Sequence, residues 1–176
     1  IKFTWQDKKT NNTRSFDKQA IDKIMSNIQR KPCKIIEVEK KLKKSFSPRL
    51  YDLTELQRDA NKFFSYSAKE TLSIMQRLYE NHKILTYPRT DSRFITDDIV
   101  PTLKDRLKSI NIGPYGKFAS FILSKPIVAN KSFVDNSKVS DHHAIIPTEQ
   151  SVRLSQLSDK ERKIYDLVIK RFLSVL

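Results

Sequence analysis

Three short signatures constrain this chain more than any other feature. Thr54-Glu55-Leu56-Gln57, Ser67-Ala68-Lys69-Glu70 and Ser158-Asp159-Lys160-Glu161 each match the capping box, in which a Ser or Thr side chain accepts from the third backbone N–H and a Glu or Gln reaches back. Three helix starts are thereby marked. Behind the first, Leu56, Ala60, Phe63 and Phe64 form an apolar stripe; behind the second, Ala68, Leu72, Met75 and Tyr79 do the same. The third opens a helix over 159–176 that is apolar nearly all round, which predicts packing partners on every side. Another helix is expected from Thr96 or Asp98, with Val100, Leu103, Leu107 and Ile110 inward and Pro101 tolerated only in its first turn. Asn111-Ile112-Gly113-Pro114 closes it, a short helix over Lys117–Leu123 follows, and residues 124–141 are polar and turn-rich. No internal repeat is present.

The first 48 residues follow a different rhythm. Ile1, Phe3 and Trp5 alternate with Lys2 and Thr4, the period of a half-buried strand. Ile21, Ile24, Met25 and Ile28 then recur at helical spacing after Ser15 or Asp17 as N-cap, and Lys31-Pro32 ends that helix. Ile36, Val38, Leu42 and Phe46 return to strand parity opposite Glu37, Glu39, Lys41, Lys43 and Ser45. Glu37 and Glu39 could imitate an acidic metal pair, but the neighbouring lysines make a salt-laced strand face the better reading. The fold class expected is α+β: mostly helical, with a small antiparallel β portion at the N-terminal end.

Charge narrows the function. The 176 residues carry 34 Lys+Arg against 20 Asp+Glu, a net charge of +14. Residues 1–50 alone hold 14 basic and 5 acidic side chains, a net +9. So clustered an excess favours a polyanion partner. Hydrophobic residues at 38% exclude a disordered linker. No run approaches the ~20 apolar residues of a membrane span, and the start lacks a signal peptide's apolar stretch, so no membrane partner and a soluble, intracellular chain are expected. The lone Cys33 cannot form an internal disulfide, and with three His it gives no zinc spacing. The absence of an initiator Met is what a piece of a longer chain would show.

Two clusters carry the chemistry. The first is Leu85-Thr86-Tyr87-Pro88-Arg89-Thr90-Asp91-Ser92-Arg93. Pro88 biases Tyr87 to an extended conformation, which displays the phenol at a corner between helices. A phenol of pKa about 10 is a poor nucleophile at neutral pH unless a proton is removed or a cation stabilises the phenolate. Arg89 can set its fork on a non-bridging phosphate oxygen as charge builds there. The alternative is that Tyr87 merely packs its ring and Arg89 pairs with Asp91. The second cluster is Ser140-Asp141-His142-His143-Ala144-Ile145-Ile146-Pro147-Thr148. Adjacent histidines on an extended segment point to opposite faces, so they do not chelate one metal together. One imidazole can instead contact a phosphate.

Tyr51-Asp52-Leu53-Thr54-Glu55-Leu56-Gln57-Arg58, the Thr-Tyr-Pro-Arg-Thr-Asp-Ser run within Leu85–Ser92, and His142–Thr148 occur in an order that resembles the central region of type IA DNA topoisomerases, of the topoisomerase III group. The likeness covers roughly residues 46–172 and takes in Glu161-Arg162-Lys163-Ile164-Tyr165-Asp166. It implies that Tyr87 is the nucleophile that forms a 5′-phosphotyrosine link to a cleaved single strand. Arg89 then corresponds to the arginine that positions the scissile phosphate, and His142 to the histidine beside it, while His143 falls at a variable position. Thr90, Ser92 and Arg93 are the further DNA contacts implied. Residues 1–48 resemble part of a β-rich arch domain, 49–155 the tyrosine-bearing domain, and 156–176 the return into a neighbouring domain. Single-stranded DNA is the implied partner, and the bacterial cytoplasm, at the nucleoid, the implied location.

The departures matter as much. The family's magnesium-binding acidic domain, with a glutamate, an Asp-x-Asp pair and a lysine, lies N-terminal to this region, and no Asp-x-Asp occurs here. Mg²⁺ is therefore expected in the intact enzyme and no metal in this segment, which by itself should be inactive. Phe64-Ser65-Tyr66 stands where a glycine between aromatics is expected. No Gly-rich phosphate loop is present, consistent with an ATP-independent transesterification. The rival reading is a non-catalytic, basic module that binds single-stranded nucleic acid.

Overall fold

A computed structural model of the chain describes residues 4–29, 31–32 and 34–176. It divides into two compact units, Ile1–Lys44 and Ser45–Leu176. In the first, α1 (Lys18–Ile28) starts where Asp17 accepts from the Ala20 N–H, as an N-cap should. Its apolar stripe buries nothing: Ile21, Met25 and Ile28 are 40–59% exposed.

The second unit is built on five further helices: α2 (Leu53–Phe64), α3 (Ala68–Glu80), α4 (Leu103–Ser109), α5 (Gly116–Leu123) and α6 (Asp159–Val175). α6 packs on α2, α3 and α5, and α4 packs on α5. Only one of the three signatures forms a reciprocal capping box. Ser158 accepts from the Glu161 N–H while the Glu161 carboxylate accepts from the Ser158 N–H. Ser67 caps α3 through the Glu70 N–H. At α2 the cap is Asp52 rather than Thr54, since the Asp52 carboxylate takes the Glu55 N–H at 2.6 Å and starts the helix earlier.

Stripes shift correspondingly. On α3 Met75 is buried as expected, but its companions are Thr71, Ile74 and Leu78 rather than Ala68, Leu72 and Tyr79, which leaves Tyr79 at the surface. On α2, Leu56 and Ala60 are buried and Phe64 packs against the core, but Phe63 is 57% exposed. α6 buries one face, Glu161, Ile164, Tyr165, Val168, Ile169 and Phe172, rather than its whole circumference. The stretch expected as one helix from Thr96 begins as a 3₁₀ turn, Asp97–Thr102, that holds Pro101, and becomes α-helical only at Leu103. Pro101 lacks the N–H an α-turn would use.

The expected antiparallel β portion is absent. No strand exists among the described residues, so the α+β assignment is corrected to helical. Ile1, Lys2 and Phe3 of the first expected strand lie outside the described residues, as does Cys33; Thr4 and Trp5 are not in a strand. Ile36, Val38, Leu42 and Phe46 alternate as a strand should, yet they are 70–99% exposed. Alternation specifies a face, but a strand also needs a neighbour to satisfy its N–H and C=O groups, and none pairs with it here. The Glu39 carboxylate is held by Lys41 at 2.6 Å, in keeping with a salt-laced surface rather than a metal pair. Among the described residues, β-type pairing appears only as isolated bridges in the second unit, Tyr51 with Ile145 and Leu85 with Pro147 antiparallel, and Ile95 with Val134 parallel. No helix among the described residues is long and apolar enough to cross a membrane.

Candidate active site

The segment after α3 and the segment before α6 meet through a ladder of hydrogen bonds that links the two chemistry-bearing clusters. The Thr148 N–H donates to the Ile84 carbonyl at 3.1 Å and the Thr86 N–H to the Ile146 carbonyl at 3.0 Å. The Thr86 hydroxyl donates to the Ala144 carbonyl at 3.2 Å and accepts from the Ile146 N–H at 3.0 Å. The Thr90 hydroxyl closes the ladder by donating to the His142 carbonyl at 2.9 Å. Two sequence motifs some 55 positions apart are thereby fixed as one surface.

Tyr87 sits in the middle of it. Pro88 is buried and pins the backbone, while the Tyr87 ring stays half-exposed. Tyr79, at the end of α3, meets that ring edge-on, with centroids 5.4 Å apart and planes at 82°. On the other side the His142 imidazole lies with its centroid 4.3 Å from that of Tyr87, tilted by 39°. Sandwiched in this way, the phenol is held in one orientation yet stays accessible from two clefts. One is lined by Thr96, Asp98, Ser140, Asp141 and His142, the other by Tyr79, Glu80, Lys83 and Thr148. His143 borders both clefts, with its Nδ1 2.8 Å from the Ala144 carbonyl. Burial favours the neutral ring and holds its imidazole below the usual histidine range, against the opposing pull of that carbonyl.

The other sequence-predicted residues divide by what holds them. Arg89, two residues after Tyr87 in the chain, is exposed and enters no ion pair with Asp91 or any other carboxylate among the described residues. Its guanidinium is free to meet an anion. Thr90 is buried and also accepts from the Ser92 N–H at 3.1 Å. Ser92 is buried too, its hydroxyl donating to the Lys138 carbonyl at 2.8 Å. Arg93 is engaged at 2.6 Å by Asp52, the cap of α2, and at 3.3 Å by Glu55. The bond to Asp52 raises its pKa, so the guanidinium stays charged and fastens the tyrosine loop to the start of α2. The Leu53 N–H reinforces that joint by donating to the Thr90 carbonyl at 3.0 Å. Sequence reasoning missed Tyr79 and Thr86. Tyr79 was read as a core position because a rotation of a helix's buried face is invisible in a single sequence. Nothing local marks the Thr86 hydroxyl as the point where two distant segments join. Among the described residues, no group of three or more His, Cys, Asp or Glu side chains is placed to hold a metal ion.

This geometry has relatives. The chain is 65% identical over all 176 residues to a DNA topoisomerase 3 of Bacillus cereus, of which it covers 24%. It is 58% identical over 174 residues to the DNA topoisomerase 3 of Bacillus subtilis, covering 99% of this chain and again 24% of that protein. The chain thus spans about a quarter of the length of these relatives. Among solved structures, the full-length topoisomerase I of Thermotoga maritima superposes on 93% of this chain and 26% of its own, with a TM-score of 0.52 at 23% identity, a likeness of fold. The family model described as DNA topoisomerase matches residues 1–176, and on that end-to-end match the chain belongs to the DNA topoisomerase family.

Proposed function

We propose that the protein to which this chain belongs cleaves and reseals one strand of DNA by reversible transesterification, with Tyr87 as nucleophile. The observation that carries the reading is the packing of the Tyr87 ring against the His142 imidazole at 4.3 Å, with an exposed arginine two residues along the chain. The Tyr87 oxygen attacks phosphorus, the bond from phosphorus to the 3′ oxygen breaks, and a 5′-phosphotyrosine and a free 3′-hydroxyl result. The proton that the phenol gives up is balanced by the one that the 3′ oxygen takes up. One phosphodiester replaces another, so the reverse attack reseals the strand with no nucleotide consumed.

Arg89 supplies a planar fork to a non-bridging oxygen as charge develops. His142 contacts the same phosphate, while Thr90 fixes the His142 backbone and Ser92 and Arg93 fix the loop. Thr90, Ser92 and Arg93 therefore act on the DNA indirectly, by holding the loop that carries Tyr87 and Arg89. Magnesium is assigned to a part of the parent protein outside this chain, and single-stranded DNA is the substrate, handled at the bacterial nucleoid. Residues 1–48 are assigned to the arch domain, 49–155 to the tyrosine-bearing domain and 156–176 to the return into a neighbouring domain.

The test is capture of the parent protein on an end-labelled single-stranded oligonucleotide followed by a denaturing gel. A label that migrates with the protein is expected, and Tyr87→Phe should abolish it while noncovalent affinity measured by anisotropy stays nearly unchanged. A denaturation-resistant adduct on the Phe variant would refute Tyr87 as nucleophile. The non-catalytic binding module would give affinity and no adduct with the unsubstituted protein.

A further inference from the structure

The end of α2 that points away from the tyrosine loop carries a second concentration of aromatic rings and cations. Ser65 takes a left-handed conformation, with φ 59° and ψ 26°, and turns the chain so that Tyr66 folds back beneath Phe64. The Phe64 and Tyr66 ring centroids are 5.5 Å apart, and those of Phe63 and Phe64 are 6.3 Å apart. Tyr66 is buried, Phe64 packs on the core, and Phe63 alone presents its ring, at 57% exposure. A lysine ammonium accompanies each ring. Lys62 lies 5.3 Å from the Phe63 centroid, Lys163 5.5 Å from that of Phe64 and Lys160 5.6 Å from that of Tyr66. Lys160 is shared with Glu70, but Lys62 and Lys163 have no carboxylate partner among the described residues.

A single exposed phenylalanine means little on a protein surface. Here the exposed ring rests on two immobilised ones and is rimmed by uncompensated positive charge. An apolar protein segment docking on Phe63 would have to strip water from those ammoniums without neutralising them. A single strand of nucleic acid brings what both features need: the flat face of an unpaired base for the ring, and phosphates for the lysines.

We propose that this face is a second contact for single-stranded DNA, with Phe63 stacking on an unpaired base and Lys62 and Lys163 meeting the flanking phosphates. It rests on the reading that the chain handles single-stranded DNA, and adds a site remote from the phenol. Helix α2 runs 12 residues, about 18 Å, between the Asp52 cap tied to the tyrosine loop and this platform. A strand held at both ends of α2 is fixed over several nucleotides, so the phosphate at Tyr87 cannot slide freely.

The test compares oligothymidylate with an abasic oligonucleotide of the same length, and with polyglutamate as an acidic polypeptide, by anisotropy with the chain and its variants. Phe63→Ala should weaken oligothymidylate binding about tenfold, the effect of losing one stacked base, and leave abasic binding unchanged. Lys163→Gln should weaken both oligonucleotides and reduce the salt slope by about 0.7, one phosphate on a single strand. Phe63 is exposed, and an unchanged unfolding midpoint verifies that each variant is folded. Equal loss on both oligonucleotides, no loss on either, or polyglutamate that competes as well as oligothymidylate at equal charge would overturn the proposal. The adduct assay separates this inference from the one on Tyr87. A Phe63-dependent preference for bases with no adduct rejects the nucleophile and keeps the platform; an adduct with no such preference does the reverse.

Discussion

Replacing Thr90 by valine removes one oxygen and little else. The two side chains are nearly isosteric, so no cavity opens, and the change isolates the hydroxyl that ties the tyrosine loop to the histidine segment. That hydroxyl donates to the His142 carbonyl at 2.9 Å and accepts from the Ser92 N–H at 3.1 Å, from a residue 7% exposed. Leaving a buried group without its partner costs about 1–3 kcal/mol. Ser92 is buried, so its N–H incurs most of that, about 1–2 kcal/mol. His142 is exposed, and water can reach its carbonyl, so that loss is about 0.5–1 kcal/mol. The expected destabilisation is therefore about 1.5–3 kcal/mol, a fall in Tm of roughly 3–12 °C for a chain of this size. Urea and thermal unfolding followed by circular dichroism measure it. Thr90→Ser keeps the hydroxyl and should lose only about 1 kcal/mol, the value of its methyl group. In the parent protein, Thr90→Val should also lower adduct yield by more than it lowers DNA affinity, because the imidazole beside Tyr87 loses its backbone anchor. A Val variant within about 0.5 kcal/mol of the unsubstituted chain, or a Ser variant as unstable as Val, would refute the account of Thr90 as a clasp.

Other substitutions test other parts of the structure. Ser65 holds a left-handed backbone that costs a residue with a Cβ, so Ser65→Gly should raise stability by about 0.5–1 kcal/mol, read as a higher Tm; a lower one would show that this backbone costs Ser65 nothing. Burial pushes the Glu161 carboxyl up, but the Ser158 N–H, Arg77 at 2.9 Å, the Ser158 hydroxyl and His82 outweigh it and hold its pKa at about 2. The folded pKa lies below the unfolded value of about 4.3, so its stabilisation is fully present above that value and is lost as pH falls towards 2. Glu161→Gln should accordingly cost about 2–3 kcal/mol at pH 7, with the gap to the unsubstituted chain closing in acid, and a pH-independent gap would show that the charge is immaterial. Arg89→Ala should slow cleavage about 10²–10³-fold while affinity changes far less, and Lys should rescue it only in part for want of a planar fork. Unaltered single-turnover cleavage in the Ala variant would return Arg89 to the surface.

Much of the helical framework was written locally. The helix starts at Ser67, Ser158 and Asp17 follow from side chains that satisfy N–H groups within the next turn, a relation complete within four residues. The position of Tyr87 at a corner follows from Pro88. Those are nearest-neighbour effects, and one sequence contains them. The order of the three motifs that resemble the topoisomerases is likewise readable without coordinates, because residue identity and spacing are all it requires. The left-handed turn at Ser65, where the resemblance leads one to expect a glycine, is seen only in the structure.

What tertiary structure alone decided is everything that depends on a partner distant in the chain. Residues 36–46 have the alternation of a strand and no neighbouring strand, so the pattern produced exposure rather than a sheet. The face of α3 is chosen by what packs on it, and its rotation away from the expected stripe moves Tyr79 from the core to the edge of the Tyr87 ring. Asp52 could have capped α2 or been free; Arg93, 41 positions away, joins it to the tyrosine loop. The hydroxyls of Thr86 and Thr90 are unremarkable as letters. They become the joint between two motifs because folding brings them within 3.2 Å of the backbone carbonyls of Ala144, which is buried and needs a donor, and His142.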